Sequence, residues 1–272
     1  MDTILFLTTP FIACILLVVV LSYFGNHILT REVIFVDIAV AQVAALGTML
    51  GILIGAAEGS LSSSLVSLGF TLLIVSVFAI SKFQNKELSQ EVIIGIIYCM
   101  ALAIVYFLID AVPGGSNFVH KTFTGAILWV TWQDILRIFI IFTIIGIIHI
   151  FIYDKTIMVS EAKFGNLEPA KIHFYNLIFY ITFGFVVVEA VKITGIFLVF
   201  MFLICPAAIS VFFTNKWKQR IIISWIIGLL GSTIGLGISY HFNLPNGPTI
   251  VCILGIMLII VALTARRQEL NA

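Results

Sequence analysis

The groups able to do chemistry in this 272-residue chain are few and widely spaced. In REVIFVDIAVAQVAALG (Arg31 to Gly47) a carboxylate, Asp37, and an amide, Gln42, lie inside an otherwise apolar run. An ionisable group in such a run is costly enough to be a functional candidate by default. Three kinds of chemistry are open to these two residues. The acid can pair with Arg31 or with a Lys at the neighbouring joint, the amide can hydrogen-bond between helices, or both can offer oxygen donors to an ion. At about 1.5 Å per residue from Arg31, Asp37 lies about 9 Å and Gln42 about 16 Å along a helix, the second close to mid-membrane. Five residues also separate two side chains by about 140°, so joint action on one ion requires a break in the helix.

The remaining reactive groups exclude more than they suggest. Glu189 and Lys192 stand three residues apart, as neighbours on a helix and so as an interfacial ion pair. His27, His120, His173 and His241 fall at the ends of apolar segments and His149 lies within one; no HxxxH or HExxH spacing links them, so a dedicated zinc cage is not supported. His120 and His241 remain candidates for a relay. Cys14, Cys99, Cys205 and Cys252 occur singly, without CxxC spacing, and read as small buried hydrophobes. There is no GxxxxGK[ST] phosphate cradle. The serines cluster at the joint Ser60 to Ser67 rather than beside a base, which argues against an intramembrane enzyme.

Composition decides the scaffold that must position these groups. The chain is 61% hydrophobic and 10% charged, with a mean hydropathy of +1.21, whereas soluble domains carry about a quarter charged residues. Long apolar runs without alternation mean membrane helices rather than a barrel. The expectation is an all-α polytopic membrane bundle forming a single domain over residues 1–272. A net charge of +1 with no basic run excludes nucleic acid as a partner. Asp2 with no preceding Lys or Arg argues against a cleaved signal peptide, so the N-terminal run counts as a first helix.

Nine apolar segments follow, at about Ile4 to Phe24, Glu32 to Ala56, a third ending near Ile80, Val92 to Ala111, Ile135 to Tyr153, His173 to Val188, Val191 to Ser210, an eighth ending at Tyr240, and Pro248 to Thr264. The joint Ser81 to Glu91 is the first clearly charged one, and Asp154 to Lys171 is the longest. Placing the N-terminus outside puts eleven cationic residues inside (Arg31, Lys82, Lys86, Lys155, Lys163, Lys171, Lys216, Lys218, Arg220, Arg266, Arg267) against three outside (Lys121, Arg137, Lys192). That bias predicts an N-out, C-in topology. Phe118 to Asp134, with Trp129 and Trp132, is too short and polar to span and reads as an outer interfacial or re-entrant helix. The seventh segment, VKITGIFLVFMFLICPAAIS, opens with Thr194-Gly195 and is interrupted near its far end at Cys205-Pro206-Ala207-Ala208. Gly195 allows a close helix approach there, and Pro206, about 16 Å deeper, removes one backbone hydrogen bond.

Four stretches, in order, carry a family resemblance. EVIIGIIYCMALAIVYFLI (Glu91 to Ile109) resembles an acid-x-x-Ile-Gly helix, TGAILWVTWQD (Thr124 to Asp134) a short Gly-x-Leu-x-x-Val segment, the seventh segment a Gly-x-Leu-Leu then Pro-Ala-Ala helix, and NGPTIVCILGIMLII (Asn246 to Ile260) a Gly-Pro-Thr/Ser last helix. Together they are similar to the membrane permease subunits of bacterial ABC importers for zinc, manganese and iron. The resemblance implies a multi-pass permease of the cytoplasmic (inner) membrane, not itself an enzyme and binding no cofactor of its own. A homodimer would enclose the path of a divalent metal ion, driven by a cytoplasmic ATPase dimer and fed by an extracytoplasmic metal-binding protein.

The resemblance also assigns roles. It implies metal contact at Asp37 and Gln42, a path wall at Gly195 and Pro206, and ATPase docking at Glu161, Ala162 and Gly165 in the longest joint; for Glu189 and Lys192 the alternative to an ion pair is an outer gate or a delivery-protein contact. Two departures stand out. Where the family has Asp followed four residues later by His, this chain has Asp37 followed five later by Gln42. Loss of the imidazole leaves oxygen donors, which suit harder ions than zinc. The docking joint also shortens the family's Ala-to-Gly spacing and adds Pro169. The alternatives are a siderophore or vitamin ABC permease, which usually has a longer chain, and a secondary metal transporter, which would show paired broken helices in two repeats.

Overall fold

Apolar runs with no water to satisfy their backbone must close hydrogen bonds within themselves, and the computed structural model does so with helices throughout. It describes residues 2–80, 89–164 and 167–270, with side chains at 2–6 and 266–270 left aside. The elements are α1 (Asp2–Thr30), α2 (Val36–Leu53), α3 (Leu61–Ile80), α4 (Gln90–Leu108), α5 (Gly115–Thr124), a 3-10 turn (Ile127–Trp129), α6 (Trp132–Phe151), α7 (Tyr153–Ser160), α8 (Pro169–Phe213), α9 (Trp217–Phe242) and α10 (Asn246–Leu270). No strand occurs among the described residues. Eight helices, α1 to α4, α6 and α8 to α10, are long and apolar enough to cross a membrane.

The 45-residue α8 holds both the sixth and the seventh segments read from the sequence. It is about twice the length of one crossing. Its single non-helical residue is Gly195, at φ 73° and ψ 168°, a combination open essentially to glycine alone. The parts before and after it are about 39 Å and 27 Å long at helical rise, each enough for one crossing.

The chain divides into two compact units. One comprises Met1–Leu29, Thr124–Ile144 and Ile193–Ala272. Within it, α9 carries two stripes of small residues. Ser224, Gly228 and Ser232 face α1, where a Cβ on residue 228 would come within 2.5 Å of Val18 and Ser224 accepts a hydrogen bond from Asn26 Nδ2 at 3.1 Å. Gly231, Gly235 and Ser239 face α10, with a Cβ at 235 only 2.8 Å from Ile250 Cα. In lipid the hydrophobic effect gives helices no reason to associate, so close backbone approach and interhelical hydrogen bonds supply the attraction.

The second unit comprises Thr30–Phe123 and Ile145–Lys192. Its most enclosed helix is α2. Gly47 and Gly51, one turn apart, seat α2 on the backbone of α3 at Ser67 and Ser63, and a Cβ at 47 would lie 2.8 Å from Ser67 Cα. Ser67 Oγ donates to the Ala44 carbonyl at 2.8 Å. On another side Val43, Leu46 and Met49 form an apolar core with Ala101 and Val105 of α4 and with Val112 and Val119.

Three expectations change. Helix α1 runs through Gly25 to Thr30, where a joint was expected, because that glycine is a packing contact: a Cβ there would sit 1.8 Å from the Leu203 carbonyl oxygen. Helix α2 begins at Val36 rather than Glu32, since Glu32 adopts a left-handed φ of 58° and turns the chain first. Cys14 and Cys205 are buried, but Cys99 and Cys252 are exposed on α4 and α10, helices that present most of their length outward. A thiol is apolar enough to face lipid. Most of the charged joint Ser81 to Glu91, including Lys82 and Lys86, lies outside the described residues.

Candidate functional site

Asp37 occupies the first turn of α2 and Gln42 the second, and both are 1% exposed. Helix α2 is uninterrupted between them, so they point about 140° apart and the structure does not bring them onto one ion. The late start of α2 also places Asp37 at the helix mouth, with Gln42 about 8 Å further in. Among the described residues Asp37 has no ion pair, and its Oδ1 is buried without a hydrogen-bond partner, as is Gln42 Nε2. Arg31 does not neutralise Asp37; its guanidinium donates to Ser160 and Asn176 instead. Burying such groups without partners costs several kcal/mol: the Asp37 oxygen lacks a donor and the Gln42 amide nitrogen lacks an acceptor.

The structure adds an acid that the sequence reading left inside a motif. Glu91, at the start of α4, accepts the backbone N–H of Phe35 through Oε1 at 3.0 Å. Among the described residues its Oε2 is buried without a partner. The signal was present, since Glu91 is an acid opening an apolar segment, but its partner Phe35 is 56 residues away in the chain and visible only in the fold.

The glycine-marked motifs of the first unit converge. A Cβ on Gly125 would lie 2.1 Å from the carbonyl carbon of Thr194 and 2.6 Å from the nitrogen of Gly195, and one on Gly247 would lie 2.9 Å from the Thr124 carbonyl oxygen. Ala126 N–H donates to the Ile193 carbonyl at 3.2 Å, closing a backbone group that the break in α8 leaves open. The close approach expected at Gly195 is therefore made by Gly125, while Gly195 supplies the turn. Gly195→Ala is expected to destabilise the protein by about 1–3 kcal/mol, read as a lowered thermal midpoint of the detergent-solubilised protein.

The interruption expected at Pro206 is not one: α8 continues through it to Phe213. The N–H that proline lacks would have reached the Phe202 carbonyl. Ser22 Oγ of α1 donates to that oxygen at 3.4 Å, so a neighbouring helix satisfies the freed group.

The piece from Phe118 to Asp134, expected as one outer interfacial or re-entrant helix, holds two elements, the end of α5 and the 3-10 turn, before α6 begins. Trp129 and Trp132 are largely exposed. Thr131 and Asp134 cap α6 in a reciprocal capping box: the Thr131 N–H donates to Asp134 Oδ2 at 3.1 Å, and the Asp134 N–H donates to Thr131 Oγ1 at 3.2 Å. Glu189 and Lys192 form an ion pair at 2.8 Å within α8, one turn before Gly195. His149 pairs with Thr182 at 2.8 Å.

The longest joint contains α7, which buries Thr156, Val159 and Ser160. Glu161 caps its end and pairs with Lys163 at 2.9 Å. Ala162 follows at φ 55°, with its N–H on the Val159 carbonyl and the Lys163 N–H on that of Met158. This is a Schellman stop with alanine where glycine is usual. Ala162→Gly is expected to stabilise this end by about 1 kcal/mol, read as slower amide exchange at residues 158–163. Gly165 lies outside the described residues.

A bundle of membrane-length helices packed through small residues, with a buried unpaired acid and a broken helix whose open backbone is closed by protein, has the build of a membrane transport subunit. The chain belongs to the ABC 3 transport family, whose model matches residues 3–265. It is 26% identical over 272 residues to the manganese transport system membrane protein MntC of Listeria innocua, covering 97% of this chain and 92% of that one. It is 25% identical over 265 residues to the manganese import system permease protein ScaB of Streptococcus gordonii, covering 97% and 93%. Its fold is similar to a chain of PsaBC from Streptococcus pneumoniae, solved in complex with Fab, at a TM-score of 0.78 and 22% identity, covering 96% and 93%. The chain is thus a multi-pass permease subunit of an ABC transport system of the bacterial inner membrane.

Proposed function

We propose that this permease imports a divalent transition metal, manganese before zinc or iron, and that it works as a homodimer with its N-terminus outside and C-terminus inside. The metal is cargo, and ATP hydrolysis belongs to a separate ATPase dimer docked on α7 and on Glu161, Ala162 and Gly165. An extracytoplasmic metal-binding protein delivers the ion near Glu189 and Lys192, and the backbone around Gly195 and Pro206 forms a wall of the path. Asp37 and Gln42 serve the ion in succession rather than together, which suits an uninterrupted α2. The observation that carries this reading is the Asp37 carboxylate, buried on the most enclosed helix with an oxygen that no described residue occupies. Oxygen donors without imidazole favour manganese over zinc, in keeping with the names of the relatives.

The test is ATP-driven uptake of manganese, zinc and iron into vesicles holding the permease with its ATPase and binding protein. Accumulation of manganese ahead of the others is expected. Transport of a metal chelate or a vitamin, with no free metal carried, would overturn the reading.

A further inference from the structure

The Arg31 side chain joins the short helix α7 to the backbone that leads into α2. Arg31 sits in the link between α1 and α2, six residues before Asp37. Its Nε donates to Ser160 Oγ, on the last residue of α7, at 3.0 Å. Its Nη1 donates to Asn176 Oδ1, on α8, at 2.5 Å. The flat face of the guanidinium lies over the Phe179 ring, 3.8 Å from Cζ to centroid. The acceptors are themselves fixed: Asn176 Nδ2 donates to the Ala79 carbonyl at the end of α3, at 2.8 Å. Beside them Gln90, at the start of α4, donates to the Phe78 carbonyl at 3.0 Å and to Tyr180 Oη at 3.2 Å. The ends of α3, α4 and α8 therefore form one braced frame, and Arg31, in the segment that leads into α2, ties Ser160 of α7 to it, while Glu91 of α4 holds the Phe35 N–H at the start of α2.

The residue after Arg31 gives this link somewhere to move. Glu32 is held at φ 58°, a left-handed conformation unfavourable to a non-glycine residue; such strain persists only where the surroundings impose it. A guanidinium suits the task because two of its nitrogens donate in one plane while its face stacks on an aromatic ring. A lysine ammonium keeps the charge but cannot hold that geometry.

We infer that Arg31 is a positioning residue that transmits displacement of α7 to the first turn of α2, and so to Asp37. The inference rests on the reading of α7 as the docking helix, and adds to it the route from that helix to the ion. Such a route counts as physical only if a perturbation at one end is lost at the other when the link is cut.

The experiment uses the full permease assembled with its ATPase partner and follows hydrogen exchange, with and without ATP and vanadate, at α7 and at the first turn of α2. In the wild type the ATPase should protect the amides of α7, and nucleotide should change exchange at residues 36–40. In Arg31→Lys the protection of α7 should remain while the response at 36–40 falls at least fivefold. Ser160→Ala, which leaves the bonds of Arg31 to Asn176 and Phe179 intact, should produce the same loss, and it decides the matter if Arg31→Lys does not assemble. The double variant should lose no more than either single one, since both cut the same link. An undiminished response at 36–40 in Ser160→Ala, with α7 still protected, overturns the role of Arg31 and leaves the docking reading standing. Absence of α7 protection in the wild type overturns the docking reading, and this inference with it.

Discussion

Asp37→Asn should reduce ATP-driven metal uptake by about 100-fold or more while raising the thermal stability of the permease. The first half follows from charge. Groups that merely orient a metal ligand already cost 10–100-fold when removed, and Asp37 is proposed to meet the ion directly. The second half follows from its surroundings: the carboxylate is 1% exposed, has no ion pair among the described residues, and carries a buried oxygen without a hydrogen-bond partner. An amide of the same shape removes that desolvation penalty and leaves no counter-charge stranded. An acid retained for structure would behave oppositely, losing stability when neutralised. Uptake in vesicles and the thermal midpoint of the purified protein, measured on one preparation, separate the two; normal uptake by the variant would sink the assignment.

Gly25→Ala is expected to prevent accumulation of folded permease. A Cβ at this position would lie 1.8 Å from the carbonyl oxygen of Leu203 and 2.7 Å from its carbonyl carbon, so the obstacle is backbone rather than a movable side chain. The helix it meets is also committed at that level, because Pro206 lies three residues on and the carbonyl it frees is held by Ser22 from α1. Separating α1 from α8 enough to admit a methyl group would break that bond as well, and the cost should reach about 3 kcal/mol or more. Gly69→Ala provides the comparison, since a Cβ there meets nothing within 4 Å; it should accumulate normally. Equal amounts of the two proteins in isolated membranes would refute the packing argument.

Much of this fold could be read in the sequence because burial in lipid demands long apolar runs, and hydropathy sees those directly. Hydropathy could not place events that depend on backbone geometry. Gly25 looked like a joint because a glycine followed by the polar pair Asn26-His27 suggests a turn, whereas its neighbour across the unit is 178 residues away. The charges of Glu189 and Lys192 suggested the end of a segment, yet they satisfy each other inside a continuous helix and the turn waits for Gly195. Pro206 read as a break because its partner for the freed carbonyl, Ser22, lies on another helix. Asp37 and Gln42 stood out as polar residues in apolar surroundings, a purely local property. Glu91 and Arg31 did not, because what distinguishes them is the company they keep: the Phe35 N–H for one, and Ser160 and Asn176, 129 and 145 residues distant, for the other.

Helix α9 encodes its inside and outside in residue volume. Its buried positions are glycine and serine apart from Ile221 and Leu236, while Ile222, Ile226, Leu230 and Ile234, spaced every fourth residue, are exposed. In a soluble protein the bulky apolar side chains would mark the interior; here they mark the face that packing does not constrain. A profile of hydrophobicity along α9 is therefore nearly blind to its orientation, whereas a profile of side-chain size resolves it. For the same reason a single added carbon at Gly228 or Gly235 on the inward face confronts Val18 or Ile250, whereas the outward side chains meet no such obstacle.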